Sequence, residues 1–147
     1  MTALDLLIFH VALTWALIGL TWTIQLVQYP SFALVGPAEF ARFHDHHSTR
    51  ITWLVAPLMG GELLTGLALF WAGPESLGPG LLGSGLALIA LNWVWTACVA
   101  MPLHARLRGA DRRLEQSLVR AHWVRTAAWS ARGLWSVVAL RAALGAP

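Results

Sequence analysis

The sequence predicts an all-α fold: a four-span antiparallel transmembrane helix bundle with a short interfacial amphipathic helix between spans one and two. Three observations predict it. The chain of 147 residues is 57% hydrophobic and 12% charged, where a soluble domain carries roughly 25% charged residues. Apolar runs long enough for a hydrocarbon core of about 30 Å recur four times. The basic residues are all arginine, and most of them lie in the connectors between these runs.

The first span runs over 4–28. It has no basic leader and no small-residue cleavage site, so it reads as a permanent span and not a signal peptide. His10, Thr14, Thr21, Gln25 and Gln28 recur at helical spacing on one face, which lipid would turn toward other helices. Tyr29-Pro30 is expected to end this helix. Over 37–48, Pro37 suits a helix start and Glu39 its first turn. Helical phase then puts Phe40, Phe43, His44 and His47 on one face, with Arg42, Asp45 and His46 elsewhere.

The second span runs over 51–72, with Pro57 as a kink site and Gly60-Gly61 as a point of close helix approach. The third runs over 81–103 and the fourth over 121–144, preceded by a polar helical turn near Asp111. Tryptophan is abundant, at nine residues, and several mark span ends, where indole rings prefer to sit. The whole of 1–147 reads as a single integral membrane domain.

Charge orients the bundle. Arg42 and Arg50 fall in the first connector, and Arg106, Arg108, Arg112 and Arg113 between spans three and four. The connector between spans two and three has no arginine. Cytoplasmic loops carry the basic excess, so both termini are expected outside the cytoplasm, in a cell (inner) membrane. The net charge of +3 therefore needs no nucleic-acid partner, and no nucleic-acid or nucleotide motif occurs. A lone cysteine, Cys98, excludes an internal disulfide.

Two polar layers emerge when the spans are aligned by their centres. Glu62, Asn92 and Arg132 form a midplane layer. A charge there costs roughly 2.5–3.5 kcal/mol on insertion scales, so an ion pair is expected, with the Asn92 amide completing its hydrogen bonds. Such a layer serves either as a clamp that fixes helix register or as a proton relay or ligand carboxylate. Gln28, His44, His47, His104, His122 and Arg125 form a second layer at the cytoplasmic mouth. His44 and His47 are spaced i,i+3, which lets two imidazoles meet one metal from a single helix. His44, His47, His104 and His122 together suit iron, copper or zinc, or a haem b. His122, Arg125, Trp129 and Arg132 share one face of span four and link the layers into a cavity wall. The alternative is interfacial decoration: histidine and arginine reach headgroups from membrane-edge helices. His10 reads as a polar residue of the helix interface.

Several motifs are absent. No Glu-x-x-His occurs for a di-iron bundle, no Cys-x-x-Cys-His for covalent haem, and no His-Glu-x-x-His for a zinc protease. His44-Asp45-His46-His47 is only an incomplete echo of the histidine boxes of membrane desaturases.

Residues Trp22, Gln25 to Pro30, Phe43-His44-x-x-His47, Pro57-x-Met59 and Glu62 resemble a family of small four-span bacterial membrane proteins. So do Trp95-Thr96, Pro102-x-His104-x-x-Leu107, Trp123-x-Arg125-Thr126 and Trp129-x-x-Arg132. This resemblance implies the topology and the joint occurrence of these residues. More remotely, Met101-Pro102-Leu103-His104-x-x-Leu107 with Trp123-x-Arg125 is similar to the anthrone-oxygenase-like membrane family. That family has Asn where His104 stands, and it implies cofactor-free oxygenation.

The expected function is a membrane-embedded oxidoreductase acting on a hydrophobic small molecule from the lipid bilayer. The four histidines would hold the metal or haem. Glu62, Arg132 and Arg125 would be catalytic, Glu62 and Arg132 setting or relaying protons and Arg125 orienting a polar substrate group with Gln28, while Gln28, Asn92 and Trp129 would contact the cofactor. The alternatives are a non-catalytic binding or transport protein and a structural subunit of a membrane complex, with a homo-oligomer also open.

Overall fold

The computed structural model describes residues 2–108 and 112–145. These form four long helices. Helix α1 spans Ala3–Phe32, α2 Pro37–Ala72 and α3 Pro79–Leu107. Helix α4 spans Glu115–Ala143 and follows a short 3-10 turn at Arg112–Leu114. No strand occurs among the described residues. The turn expected near Asp111 lies partly outside them.

Local chemistry explains the starts. Thr2 and Asp5 form a capping box at α1, each side chain bonding the other's backbone N–H. Pro37 and Pro79 open α2 and α3 at first-turn positions, where a missing N–H costs nothing.

Two expectations about α1 and α2 are revised. Tyr29-Pro30 does not end the first helix. Instead the chain widens into a π turn at Ile24–Gln28, with Tyr29 N–H donating to Ile24 O, and continues to Phe32. The same device recurs in α3: a π turn at Thr96–Ala100 precedes Met101-Pro102, with Met101 N–H donating to Thr96 O. Proline lacks the N–H for an i−4 bond, and its ring crowds that carbonyl. One extra residue per turn relieves both problems without breaking the helix. The second revision is that 37–48 is not a separate helix but the first third of α2, which also runs through Pro57. Within it Phe40, His44 and His47 are buried while Arg42, Asp45 and His46 are exposed.

Contacts fix the topology. His10 meets Thr65 and Thr14 meets Glu62, so α1 and α2 are antiparallel. The pairs His44–His104 and Gly66–Ile89 make α2 and α3 antiparallel. Trp95 with Ala121 and Trp135 with Leu81 do so for α3 and α4. Gln25–His122 and Trp15–Ser136 close the ring between α4 and α1. The result is a four-helix up-down bundle.

Three apolar clusters fill its axis. Leu7, Leu69 and Trp135 mark one end, Leu17, Met59 and Trp129 the middle, and Tyr29, Phe32, Phe40 and Leu118 the other. The outer surface is also apolar, with Phe9, Trp15, Val27, Trp53, Leu64, Trp71 and Leu134 exposed. A hydrophobic exterior around a polar-centred bundle suits lipid as the solvent. Helices α1, α2 and α3 are each long and apolar enough to cross a membrane. Helix α4 is comparably long but more polar. Its His122, Arg125, Thr126, Arg132 and Ser136 are all buried, while Trp123, Leu134 and Val138 face outward.

Small residues allow the close approach. A Cβ on Gly85 would sit 2.7 Å from the Trp135 ring and 3.0 Å from Arg132 Nη1. A Cβ on Gly60 would meet nothing within 4 Å. Gly85→Ala is therefore expected to lower stability by about 1–3 kcal/mol through overpacking. Gly60→Ala is expected to raise it by roughly 0.5–1 kcal/mol from helix propensity. Thermal unfolding of the detergent-solubilised protein distinguishes the two.

Candidate functional site

The middle of the bundle holds one carboxylate and one guanidinium, both removed from solvent. Glu62 is 1% exposed and Arg132 0%. Arg132 Nε lies 3.3 Å from Glu62 Oε1. Thr14 Oγ1 donates to the same oxygen at 2.9 Å, and Trp129 Nε1 donates to Oε2 at 3.1 Å. The guanidinium is equally well used. Its Nη1 donates to Gly85 O at 3.1 Å, and its Nη2 donates to His10 Nε2. Its Cζ lies 4.4 Å from the Trp135 ring centroid. Because His10 Nε2 accepts, Nδ1 carries the proton and donates to Thr65 Oγ1 at 2.7 Å. Thr65 in turn donates to Gly61 O at 2.7 Å.

The paired acid and base are thus together, as their matching depth implied. Asn92 is not part of the pair. It is buried, but its Nδ2 donates along its own helix to Leu88 O at 3.4 Å, and its Oδ1 has no hydrogen-bond partner. His10, read from the sequence as interface packing, instead supplies the acceptor that completes Arg132. Spacing gave its face correctly but could not give its partner.

The second layer lies toward the Phe32 end. His44 Nε2 and His104 Nδ1 are hydrogen-bonded at 3.1 Å, and their rings stack at 5.2 Å. Tyr29 Oη bonds His104 Nε2 at 3.4 Å. His122 Nδ1 donates to Gln25 Oε1 at 2.9 Å, and its buried Nε2 has no hydrogen-bond partner. The Tyr29 ring packs edge-on against His122 and more distantly against His47. Tyr29 therefore sits among the histidines, a role the sequence reading gave to no residue. Gln28 does not line the main cavity: with Phe43, His46 and Arg50 it lines an outer hollow, and His47 borders both. The π turn puts Gln25, not Gln28, against His122.

The donor chemistry bears on metal binding. His44 and His104 use ring nitrogens on each other, and His122 uses one on Gln25. Among the described residues, no three His, Cys, Asp or Glu side chains are grouped as a metal ion requires. With their rings so oriented, the four histidines do not form a ready-made metal site among the described residues.

What the layer does enclose is a cavity of about 240 Å³ reached by all four helices. Tyr29, His47, Met59 and Arg125 form its buried wall with Ala100, half-buried His104 joins them, and Val55 and Ile51 line it further out. Its rim residues Thr52, Ala56, Trp93 and Met101 are exposed. The cavity therefore opens sideways, between α2 and α3, onto the apolar surface. A hollow of about 330 Å³ adjoins it and shares Ile51, Thr52, Met101 and His104. Both π turns border this space, through Ile24, Thr96 and Ala100, and π turns recur at functional sites.

No family model matches the chain, and no curated protein or solved structure is significantly similar to it.

The central pair makes a stability prediction. Glu62→Ala removes the only carboxylate paired with Arg132 among the described residues. Breaking one side of a buried pair costs about 3–5 kcal/mol. Thr14→Val removes a single donor to that carboxylate and costs about 1–3 kcal/mol. Denaturation of each variant by heat or chaotrope measures both.

Proposed function

We propose that the protein is a four-span integral membrane protein that takes a hydrophobic small molecule from the bilayer into the cavity between α2 and α3. One observation carries this reading: an apolar opening on the lipid-suited surface leads to an inner end built from buried Tyr29 and Arg125 with half-buried His104. Pockets that hold small molecules combine such apolar walls with a few fixed polar groups. The fourth span is α4. Its polar residues are buried and its outward residues are apolar, so lipid would meet Leu134 and Val138 and not Arg132. The arginine-rich connectors then face the cytoplasm and both termini lie outside it. In that frame Arg42, Asp45 and His46 lie along the membrane edge, where an amphipathic stretch of α2 meets headgroups.

Chemistry on the bound molecule is a second reading, and one observation favours it. His104 lines the cavity and is joined by hydrogen bonds to Tyr29 on one side and His44 on the other. Such a line can accept or return a proton at a ligand without exposing charge to lipid. An oxidoreductase is one form of this reading. Protein purified in detergent that carried near-stoichiometric iron, copper or zinc, or a haem absorption band, would support that form. Colourless metal-free protein would leave binding alone or cofactor-free chemistry.

Filling the cavity tests the main reading. Val55→Trp places an indole in a space of about 240 Å³ lined by that residue. It is expected to abolish binding of small apolar probes while leaving helicity intact. Tryptophan fluorescence titration follows binding, because Trp93 lies on the rim. Unchanged probe binding by Val55→Trp would contradict it. Single cysteines introduced near each terminus in a Cys98→Ser background, labelled from one side of sealed vesicles, report the topology. The proposal expects both to be reached from the outer side.

A further inference from the structure

Arg125 is the wall residue whose chemistry is left unanswered within the bundle. It is 6% exposed. Its guanidinium lies 5.0 Å from the Trp129 ring centroid. Its Nη2 reaches only the thioether of Met59, at 3.9 Å, and its Nε has no hydrogen-bond partner. Among the described residues no carboxylate pairs with it. The contrast with Arg132 is complete, since every nitrogen of that side chain meets an oxygen or an imidazole. A helix bundle that matches one buried cation so fully has no structural use for a second left unmatched, since an unpaired buried charge is strongly unfavourable.

A guanidinium pairs with a carboxylate through charge-assisted N–H···O bonds. Met59, which Nη2 touches, lines the same cavity as Arg125. The Tyr29 hydroxyl stands at the same polar end.

We infer that the molecule held in the cavity is a single-chain lipophilic carboxylic acid, its carboxylate docked against the Arg125 guanidinium where that side chain lines the cavity. The inference rests on the reading of this cavity as a small-molecule site and names the class that it takes. The acid's charge cancels the buried cation. Its tail runs past Val55 toward the opening between α2 and α3. A volume of about 240 Å³ is below the roughly 300–1,000 Å³ of pockets that enclose a drug-sized ligand. The head and first part of the tail fit inside, and the remainder lies against lipid. A phospholipid head with two chains does not suit so narrow a space.

The test compares three probes of one chain length: decanoate, decanol and methyl decanoate. Each is titrated into the full-length protein in a neutral detergent at about pH 8, where an aliphatic carboxyl is ionised. Binding is followed by tryptophan fluorescence and calorimetry. Decanoate is expected to bind at least about tenfold more tightly than either neutral probe, a difference of about 1.4 kcal/mol. Arg125→Gln is expected to bring decanoate to the level of decanol and leave decanol unchanged, with helicity checked by circular dichroism. Equal binding of acid and alcohol by the unmodified protein overturns the carboxylate assignment and leaves the cavity reading standing. Failure of all three probes to bind overturns both. Should Arg125→Gln not fold, the ratio of acid to alcohol affinity in the unmodified protein decides alone.

Discussion

The pairing of Glu62 with Arg132 is the constraint on which the rest of the bundle depends. Neither group can be left alone in an interior without water, and neither reaches solvent. Satisfying both requires all four helices at one level. Helix α1 brings Thr14 and His10, α2 brings Glu62, α3 offers Gly85 O, and α4 supplies Arg132 and Trp129. A slip of one turn in any helix would strand a charge or an acceptor. This is a buried network in which each member is matched, the condition under which such networks specify one arrangement. The glycines follow from it. Gly85 must lack a side chain for its carbonyl to approach Arg132 beneath the Trp135 ring.

With the register fixed at the centre, the Phe32 end of the bundle acquires its irregularity from two prolines. Pro30 and Pro102 each force a π turn, and the two turns lie on helices α1 and α3. Each widens its helix just before a residue of the histidine layer, Tyr29 on one side and His104 two residues past Pro102 on the other. Tyr29 and His104 meet across the interior. The space between α2 and α3 beside them is the cavity. Arg125 closes it from α4, one turn from Trp129 and two from Arg132. The same helix face that carries the matched cation therefore carries the unmatched one.

Much of this was legible in the residues, and the misses have definite causes. Four apolar segments gave four helices. Opposite charges at matching depths gave the Glu62–Arg132 pair. Phase within 37–48 correctly divided buried His44 and His47 from exposed Asp45 and His46. The break expected between that stretch and the next span is absent. Ser48, Thr49 and Arg50 change the composition, and composition alone does not interrupt a helix that no glycine or proline punctuates. Tyr29-Pro30 looked like a terminator because the residue before proline is biased away from helix, and a π turn escapes that rule. Asn92 and His10 exchanged roles because periodicity gives a face and a depth but not a bonding partner. The histidines were gathered correctly at one end, yet their mutual hydrogen bonds depend on ring orientation, which no spacing encodes.

The central claim is that one buried arginine holds the bundle together while the other is kept for a ligand. Thermal unfolding of Arg132→Met and Arg125→Met, in neutral detergent without added ligand, tests it most directly. Arg132→Met strips the cation from Glu62 and is predicted to unfold at a lower temperature than the unmodified protein. Arg125→Met replaces an unmatched buried charge with an apolar chain of similar length and is predicted to unfold at the same or a higher temperature. A comparable loss of stability in both variants would contradict the account, because it would make Arg125 a second structural clamp.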